Sequence, residues 1–447
     1  MRTDTGLASG HPATEPRGRE QRVLFTVGVA VAAVAVGLYA LAAVTDPAIT
    51  TLKGFDLRVY LMGGELAKNK PAYLYAWKYE PGIQFTYTPF AALLFALITW
   101  VRFRVLLDLL ALVSLASLAV TVWIAFRELG WRGMARTGGT LLVTGVALWL
   151  QPVQRTLFLG QIELVLMALI VWDLCQPDRR WWKGAVTGFA AGIKLVPLIF
   201  ILYLLVTCRF RQAGVAAAAF LVTVLAGFTV LPHASRQWWL HGYFLQASRT
   251  GFIGEMLNQS ERGLITRLVG SVASAEPLWL AIAIVTGIGG LAAAMLLDRA
   301  GNTFAGLMVC ALTALLVSPI SWDHHWVWVA PGLAVLIDAA VRAGKGRARA
   351  AWIAAAAAVV VAFGAWPRLW PGGDTGLLQG GLIWYAPVST FSSGDNARYV
   401  EYHWHGLQGI AGNLYVIAGA ALFVLALAAA AYTLRTRRSG APQRSRT

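Results

Sequence analysis

An acid stands just beyond the first long apolar run of this chain. Asp56, in the stretch Phe55-Asp56-Leu57-Arg58-Val59-Tyr60, follows the run 23–44, where a chain leaving a bilayer would meet water. A carboxylate at that height can take a proton from a hydroxyl on a lipid-borne molecule, although a loop acid is more often a cap or a solvated charge. Ser318-Pro319-Ile320-Ser321-Trp322-Asp323-His324-His325 adds two imidazoles. Adjacent helical residues point about 100° apart, which disfavours a shared metal ion. The pair is read as contacting phosphate or orienting a substrate near Asp56, against a plain interfacial hydrogen-bonding role. Lys194 lies inside an apolar run beside Pro197, and an ammonium there is a functional candidate by default. It is a candidate phosphate partner, as are Arg58 and Arg262.

The remaining polar candidates have supporting or acceptor-binding roles. They are Gln161 and Glu163 in Gly160-Gln161-Ile162-Glu163, Asn258 in Asn258-Gln259-Ser260-Glu261-Arg262-Gly263, Asp323, Tyr60 and Tyr87. Gln161 and Glu163 fit simple interhelical hydrogen bonding equally well. Together the set suits glycosyl transfer from a lipid phosphate. One base removes a proton from the acceptor hydroxyl. The phosphate leaves without strong acid help, so the second carboxylate of a glycosidase is not required. Lysine and arginine can hold a monophosphate, so neither a metal nor another cofactor is expected. No Walker loop or nucleotide fingerprint occurs in the right context.

The elements that must position these residues are membrane helices. The chain has 447 residues, 58% hydrophobic and 13% charged, with mean hydropathy +0.62. That charge cannot cover a soluble protein of this length, and many runs approach the roughly 20 residues that span a bilayer. The alternating segments of a β-barrel are missing. The net charge of +16 sits at the ends of apolar runs, the positive-inside pattern, and not on a nucleic-acid-binding face. The three cysteines, Cys175, Cys208 and Cys310, form neither a disulfide framework nor a metal cluster.

The expectation is an all-α polytopic membrane protein with about twelve membrane helices and both termini in the cytoplasm of a plasma-membrane protein. Residues 1–22 read as a disordered N-terminus, 23–433 as one catalytic membrane domain, and 434–447 as a basic tail. Outer loops are expected over 45–88, 232–276 and 367–408, rich in aromatic residues and carrying interfacial helices. Charge and counting disagree over 127–160, and one short or re-entrant segment between 89 and 160 would reconcile them. The run 184–206, basic on both flanks and holding Lys194 and Pro197, reads as a broken or re-entrant hairpin facing a cavity. The polar chemistry gathers on the outer side, away from cytoplasmic nucleotides.

These stretches, with Tyr87-Thr88-Pro89 and the run Gly184, Gly188, Gly192 before Lys194 and Pro197, resemble glycosyltransferase family 87 over nearly the whole chain. The resemblance implies a GT-C fold and an inverting, polyprenyl-phosphomannose-dependent mannosyltransferase of mycobacteria and related actinobacteria. Its acceptor would be a phosphatidylinositol mannoside, extended through an α-1,2 linkage at the outer face of the plasma membrane. It implies the base role for Asp56 and places His324 and His325 at the family's paired histidines. The family's commoner Asn in the Gly-Gln motif is Glu163 here, which leaves that position without a strict role. The alternatives are a sister transferase acting on lipomannan or arabinan and, from another class, a lipid-linked sugar transporter, which Lys194 keeps open.

Overall fold

The computed structural model describes residues 18–45, 52–79, 83–366, 380–389 and 399–439. Most of the expected N-terminal segment, the end of the basic tail and much of the 367–408 loop lie outside the described residues. In chain order the main helices are α1 (Arg19–Thr45), α2 (Phe55–Asn69), α3 (Pro89–Ala96), α4 (Phe103–Glu128), α5 (Gly133–Ala147), α6 (Gln151–Leu159), α7 (Glu163–Leu174) and α8 (Ala185–Ile193). They continue with α9 (Ile199–Val206), α10 (Phe210–Val230), α11 (Glu261–Val269), α12 (Val272–Arg299), α13 (Thr303–Val317), α14 (Val329–Arg342), α15 (Arg347–Phe363) and α16 (Leu414–Ser439). The one ladder among the described residues pairs Lys78–Tyr79 with Ile83–Gln84.

The protein is thus an all-helical polytopic membrane protein. Six helical stretches among the described residues are long and apolar enough to cross a bilayer: α1, α4, α10, α12, α16 and the run 323–342 that ends in α14. The other apolar runs are cut into shorter pieces by identifiable breakers. α3 is only 8 residues long. α6 and α7 meet at 115° across the break 160–162. The short α3 lies inside the stretch 89–160, for which the sequence calls for one short or re-entrant segment. At the bend, Gly160 adopts φ +67°, the left-handed conformation that glycine takes without a Cβ penalty.

The hairpin around Lys194 is broken as the sequence suggests. Asp173, buried at the end of α7, accepts hydrogen bonds from the N–H groups of Gly184 (2.9 Å) and Thr187 (2.8 Å), and so starts α8. Lys194 has φ −137° and ψ 132°, an extended conformation that ends α8 before Pro197. Ending a helix leaves carbonyls without intrahelical donors. One of them, that of Gly192, accepts from the Thr88 hydroxyl. Thr88 also caps α3 by accepting from the Ala91 N–H at 3.1 Å. One threonine therefore joins the Tyr87-Thr88-Pro89 stretch to the lysine break. Behind α8 the backbones approach so closely that a Cβ on Gly188 would lie 2.0 Å from the Ala216 carbonyl oxygen of α10. This is the small-residue contact by which membrane helices pack without a hydrophobic drive.

Candidate active site

Described residues from the segments 45–88, 232–276 and 367–408 meet at one place. Asp56 from the first, Arg249 and Glu255 from the second, and Ser389 and Glu401 from the third all line one cavity of about 1270 Å³. One wall is polar; another, carrying Leu198, Ile199, Leu202, Leu291 and Val317, is apolar.

Asp56 sits in the first turn of α2, where the unpaired N–H groups of the helix favour a negative charge. The start of α2 is anchored on α6: Lys53 and Gly54 donate their N–H groups to the Phe158 carbonyl at 3.0 and 2.9 Å. The Gln161 Nε2 donates to Asp56 Oδ2 at 2.8 Å. Gln161 Oε1 in turn accepts from the Tyr60 hydroxyl, which lies 3.0 Å from the Tyr87 hydroxyl. Burial raises the Asp56 carboxyl above its ordinary range, while His324, the Gln161 hydrogen bond, Arg155 and Lys194 pull it back down. A carboxylate so balanced is a stronger base than one in water.

Across the cavity, Lys194 Nζ is hydrogen-bonded to Glu163 and lies 3.0 Å from His325 Nε2. Glu163 Oε1 is 3.5 Å from the same imidazole nitrogen. Glu163, His324 and His325 bring ligand atoms within 4.8 Å of one another, close enough for a shared ion. The Lys194 ammonium already stands between Glu163 and His325, however, and supplies positive charge there. Glu163, left without a strict role by the sequence, is thus the carboxylate partner of Lys194.

His324 is buried beside Asp323, whose Oδ1 lies 3.3 Å from His324 Nδ1 and accepts the His324 N–H at 2.8 Å. Asp323 Oδ2 accepts from Gln151 Nε2 at 2.6 Å, and Gln151 Oε1 accepts from the Tyr415 hydroxyl at 2.8 Å. His324 Nε2 is buried without a hydrogen-bond partner. This is an imidazole oriented through one nitrogen with the other free, the arrangement that serves proton transfer.

Three expected residues are placed elsewhere. Arg58 is exposed on the far side of α2, with its guanidinium 3.9 Å over the Phe103 ring; two residues from both Asp56 and Tyr60, it points about 200° round the helix from their face. Arg262 pairs with Glu276 at 2.6 Å and covers Trp279, away from the cavity. Asn258 is fully buried and structural: its Nδ2 donates to the Ile253 carbonyl at 2.9 Å, and its Oδ1 accepts the Ser321 N–H at 3.0 Å. Gln259 adds an N–H bond to the Ser321 carbonyl at 2.7 Å. The two polar motifs thus hold each other in register and so place His324.

Arg155, not among the residues expected from sequence, also lines the cavity, with its side chain 13% exposed and its Nε 3.7 Å from Asp323 Oδ2. The signal was there: Gln151, Gln154 and Arg155 interrupt an otherwise apolar region just before Gly160. Glu255, on an irregular loop, gave no comparable signal.

A half-buried acid in the first turn of a helix, sharing with cations a cavity that is partly lined by apolar residues, fits a membrane enzyme that acts on lipid-borne substrates. Residues 85–319 match the model of glycosyltransferase family 87. The chain is 34% identical, over 78% of its own length and 80% of the relative's, to a polyprenol-phosphate-mannose-dependent alpha-(1-2)-phosphatidylinositol pentamannoside mannosyltransferase of Mycobacterium tuberculosis. It is 33% identical, over 66% of its length and 72% of the relative's, to the protein of the same description from Mycolicibacterium smegmatis. A Mycobacterium tuberculosis polyprenol-phosphate-mannose-dependent alpha-(1-2)-phosphatidylinositol mannoside mannosyltransferase is 31% identical over 63% of the chain and 69% of its own length. No solved structure matches. The chain belongs to glycosyltransferase family 87 and is a glycosyltransferase, which leaves the transporter alternative without support.

Proposed function

We propose that this protein is an inverting mannosyltransferase of GT-C architecture, with about twelve membrane crossings and its active site at the outer face of the plasma membrane. It moves mannose from polyprenyl-phosphomannose to the 2-hydroxyl of a mannose on a phosphatidylinositol mannoside. The observation that carries the mechanism is the placement of Asp56 in one cavity with Lys194, Arg155 and His324, beside an apolar wall suited to a polyprenyl chain. Asp56 takes the proton of the acceptor hydroxyl. The oxygen forms a bond to the anomeric carbon as the carbon–oxygen bond to phosphate breaks. The bonding electrons leave with the polyprenyl phosphate, whose charge is held by Lys194 and Arg155. Attack opposite the leaving group turns a β-linked donor into an α-1,2 product. Lysine and arginine supply the positive charge, so the transfer proceeds without a metal or other cofactor.

A second base is favoured by one observation, the free Nε2 of His324 held by Asp323. The test is transfer of radiolabelled mannose from polyprenyl-phosphomannose to phosphatidylinositol mannosides by wild type, Asp56→Asn, Asp56→Ala and His324→Ala, in membranes at equal expression. General-base loss predicts a fall of about 10²- to 10⁴-fold for both Asp56 variants. Near-wild-type transfer by Asp56→Asn with an inactive His324→Ala would move the base to His324. A wild type inactive on every mannoside acceptor would redirect the search to lipomannan and arabinan acceptors.

A further inference from the structure

The polar lining of the cavity carries charges of both signs. Lys194 is paired with Glu163, and Arg155 lies 3.7 Å from Asp323. Glu255 and Glu401 come from separate loops and line the same space. Glu401 is occupied: Ser389 donates its N–H at 3.0 Å and also its hydroxyl. Glu255 differs, because among the described residues its side chain has no hydrogen-bond partner, although it is half-buried.

Its backbone is held firmly. The Glu255 N–H bonds to the Phe252 carbonyl at 3.1 Å, and the Asn258 N–H bonds to the Glu255 carbonyl at 2.9 Å. Buried Arg267 donates to the carbonyls of Glu255 (2.8 Å) and Asn258 (3.0 Å) and to Asn413 Oδ1 (2.8 Å). The turn therefore presents a free carboxylate from a braced backbone. Trp322 borders the same spot: a Cβ on Gly251 would meet the Trp322 ring at 3.0 Å and Glu255 Oε2 at 3.7 Å. The Phe252 and Tyr399 rings stack beside it, 3.5 Å between centroids.

A carboxylate with unfilled acceptor positions next to an indole suits a sugar ring. Its oxygens accept from neighbouring hydroxyls while the aromatic face covers the C–H face. The same carboxylate repels an anion, and Glu401 adds to the repulsion, whereas Asp323 is offset by Arg155 at 3.7 Å. The phosphate of the donor is therefore directed to Lys194 and Arg155, and the uncharged polyol of the acceptor to Glu255. We propose that Glu255 and Trp322 form the subsite for a hexopyranose of the acceptor, with Glu255 accepting hydrogen bonds from its hydroxyls and so selecting a glycosylated acceptor.

This inference rests on the mannosyltransferase reading, and two readouts separate them. The first is steady-state transfer by the full-length protein in nanodiscs, with donor and acceptor varied independently, for wild type, Glu255→Gln and Glu255→Ala. Loss of charged hydrogen bonds to the acceptor predicts an acceptor KM raised by about 10- to 100-fold, with donor KM within about twofold of wild type. The second is binding of methyl α-mannoside in the absence of donor, which should weaken in the same variants while their thermal unfolding stays at or above that of wild type. Wild-type transfer with unchanged acceptor KM in both variants would overturn the subsite and leave the function standing, as would a rise in donor KM instead. A wild type that binds the mannoside through Glu255 yet transfers no mannose would overturn the function and leave the subsite.

Discussion

Gln161 acts on catalysis through Asp56, and its replacement tests the base assignment more sharply than removal of the acid. Its Nε2 donates to Asp56 Oδ2 at 2.8 Å, a hydrogen bond that favours the ionised carboxylate and opposes the effect of burial. A hydrogen bond to a charged group is worth about 1.5–3 kcal/mol, and one pH unit corresponds to about 1.4 kcal/mol. Gln161→Met keeps the side-chain length and removes the donor, while the Tyr60 hydroxyl keeps the Tyr87 hydroxyl at 3.0 Å. Losing a bond to the ionised form makes Asp56 harder to ionise, and the base must be ionised to act. The acidic limb of log(kcat/KM) against pH should therefore move upward by about one to two pH units. Activity should approach the wild-type plateau on the alkaline side. The assay is the mannosyl-transfer rate measured from pH 5 to pH 9 in one mixed-buffer system. A limb that stays in place, or an equal loss at every pH, would refute the claim that Gln161 works by stabilising the Asp56 carboxylate.

Lys194→Met should cut transfer by about 10²-fold or more, because it removes charge where the phosphate leaves. It also strands Glu163, so the double variant with Glu163→Gln should recover folding yield but not transfer, read by size-exclusion profile and rate. Arg267→Met should destabilise the protein by on the order of 3 kcal/mol, because it leaves the Glu255 and Asn258 carbonyls without their buried donor; thermal unfolding in detergent checks this. Gly188→Ala places a methyl against the Ala216 carbonyl and should lower stability by about 1–3 kcal/mol, again read from thermal unfolding. Burial, with Asp323 and Glu401, pushes the Glu255 carboxyl from 4.5 up to about 7. The unfolded chain ionises this group first, so its stabilising contribution is complete below about pH 4.5 and lost as pH rises to about 7. Glu255→Gln should therefore stabilise the protein at pH 8 by up to about 3 kcal/mol and change little at pH 4, measured as the Tm difference at the two pH values.

What the chain reveals in one dimension depends on whether a residue's neighbours are local. Asp56 and Lys194 were legible because each sits against its surroundings, an acid at the end of a membrane run and an ammonium inside one. The break at Lys194 was legible for the same reason, since Pro197 forbids a continuous helix. Arg58, Arg262 and Asn258 look equally polar in sequence, but their roles depend on a helix face or a long-range partner. Arg58 lies two positions from Asp56 and faces Phe103 instead. Asn258 works only because Ser321 of a distant motif comes to meet it at 3.0 Å. The number of crossings is not legible from apolar length alone: among the described residues six helices are long enough to cross by themselves, whereas Gly160 and Lys194 turn other apolar runs into bent or broken pieces.

Those breaks are also what build the site. A straight helix through Gly160 would satisfy its own backbone and leave no room beside Asp56. The bend at Gly160 instead puts Gln161 on the carboxylate and Glu163, two residues further on, against Lys194. The break at Lys194 releases the carbonyl of Gly192, and Thr88 must then satisfy it, which fixes Tyr87 next to Tyr60. Two interruptions of apolar helices, each costly in a membrane unless its polar groups find partners, are thus tied to each other through the Asp56–Gln161–Tyr60–Tyr87 chain. The polar groups that make the breaks tolerable are the ones that shape the base and hold the cation opposite it. This coupling explains why the chemistry of this chain is concentrated where its helices fail to be regular.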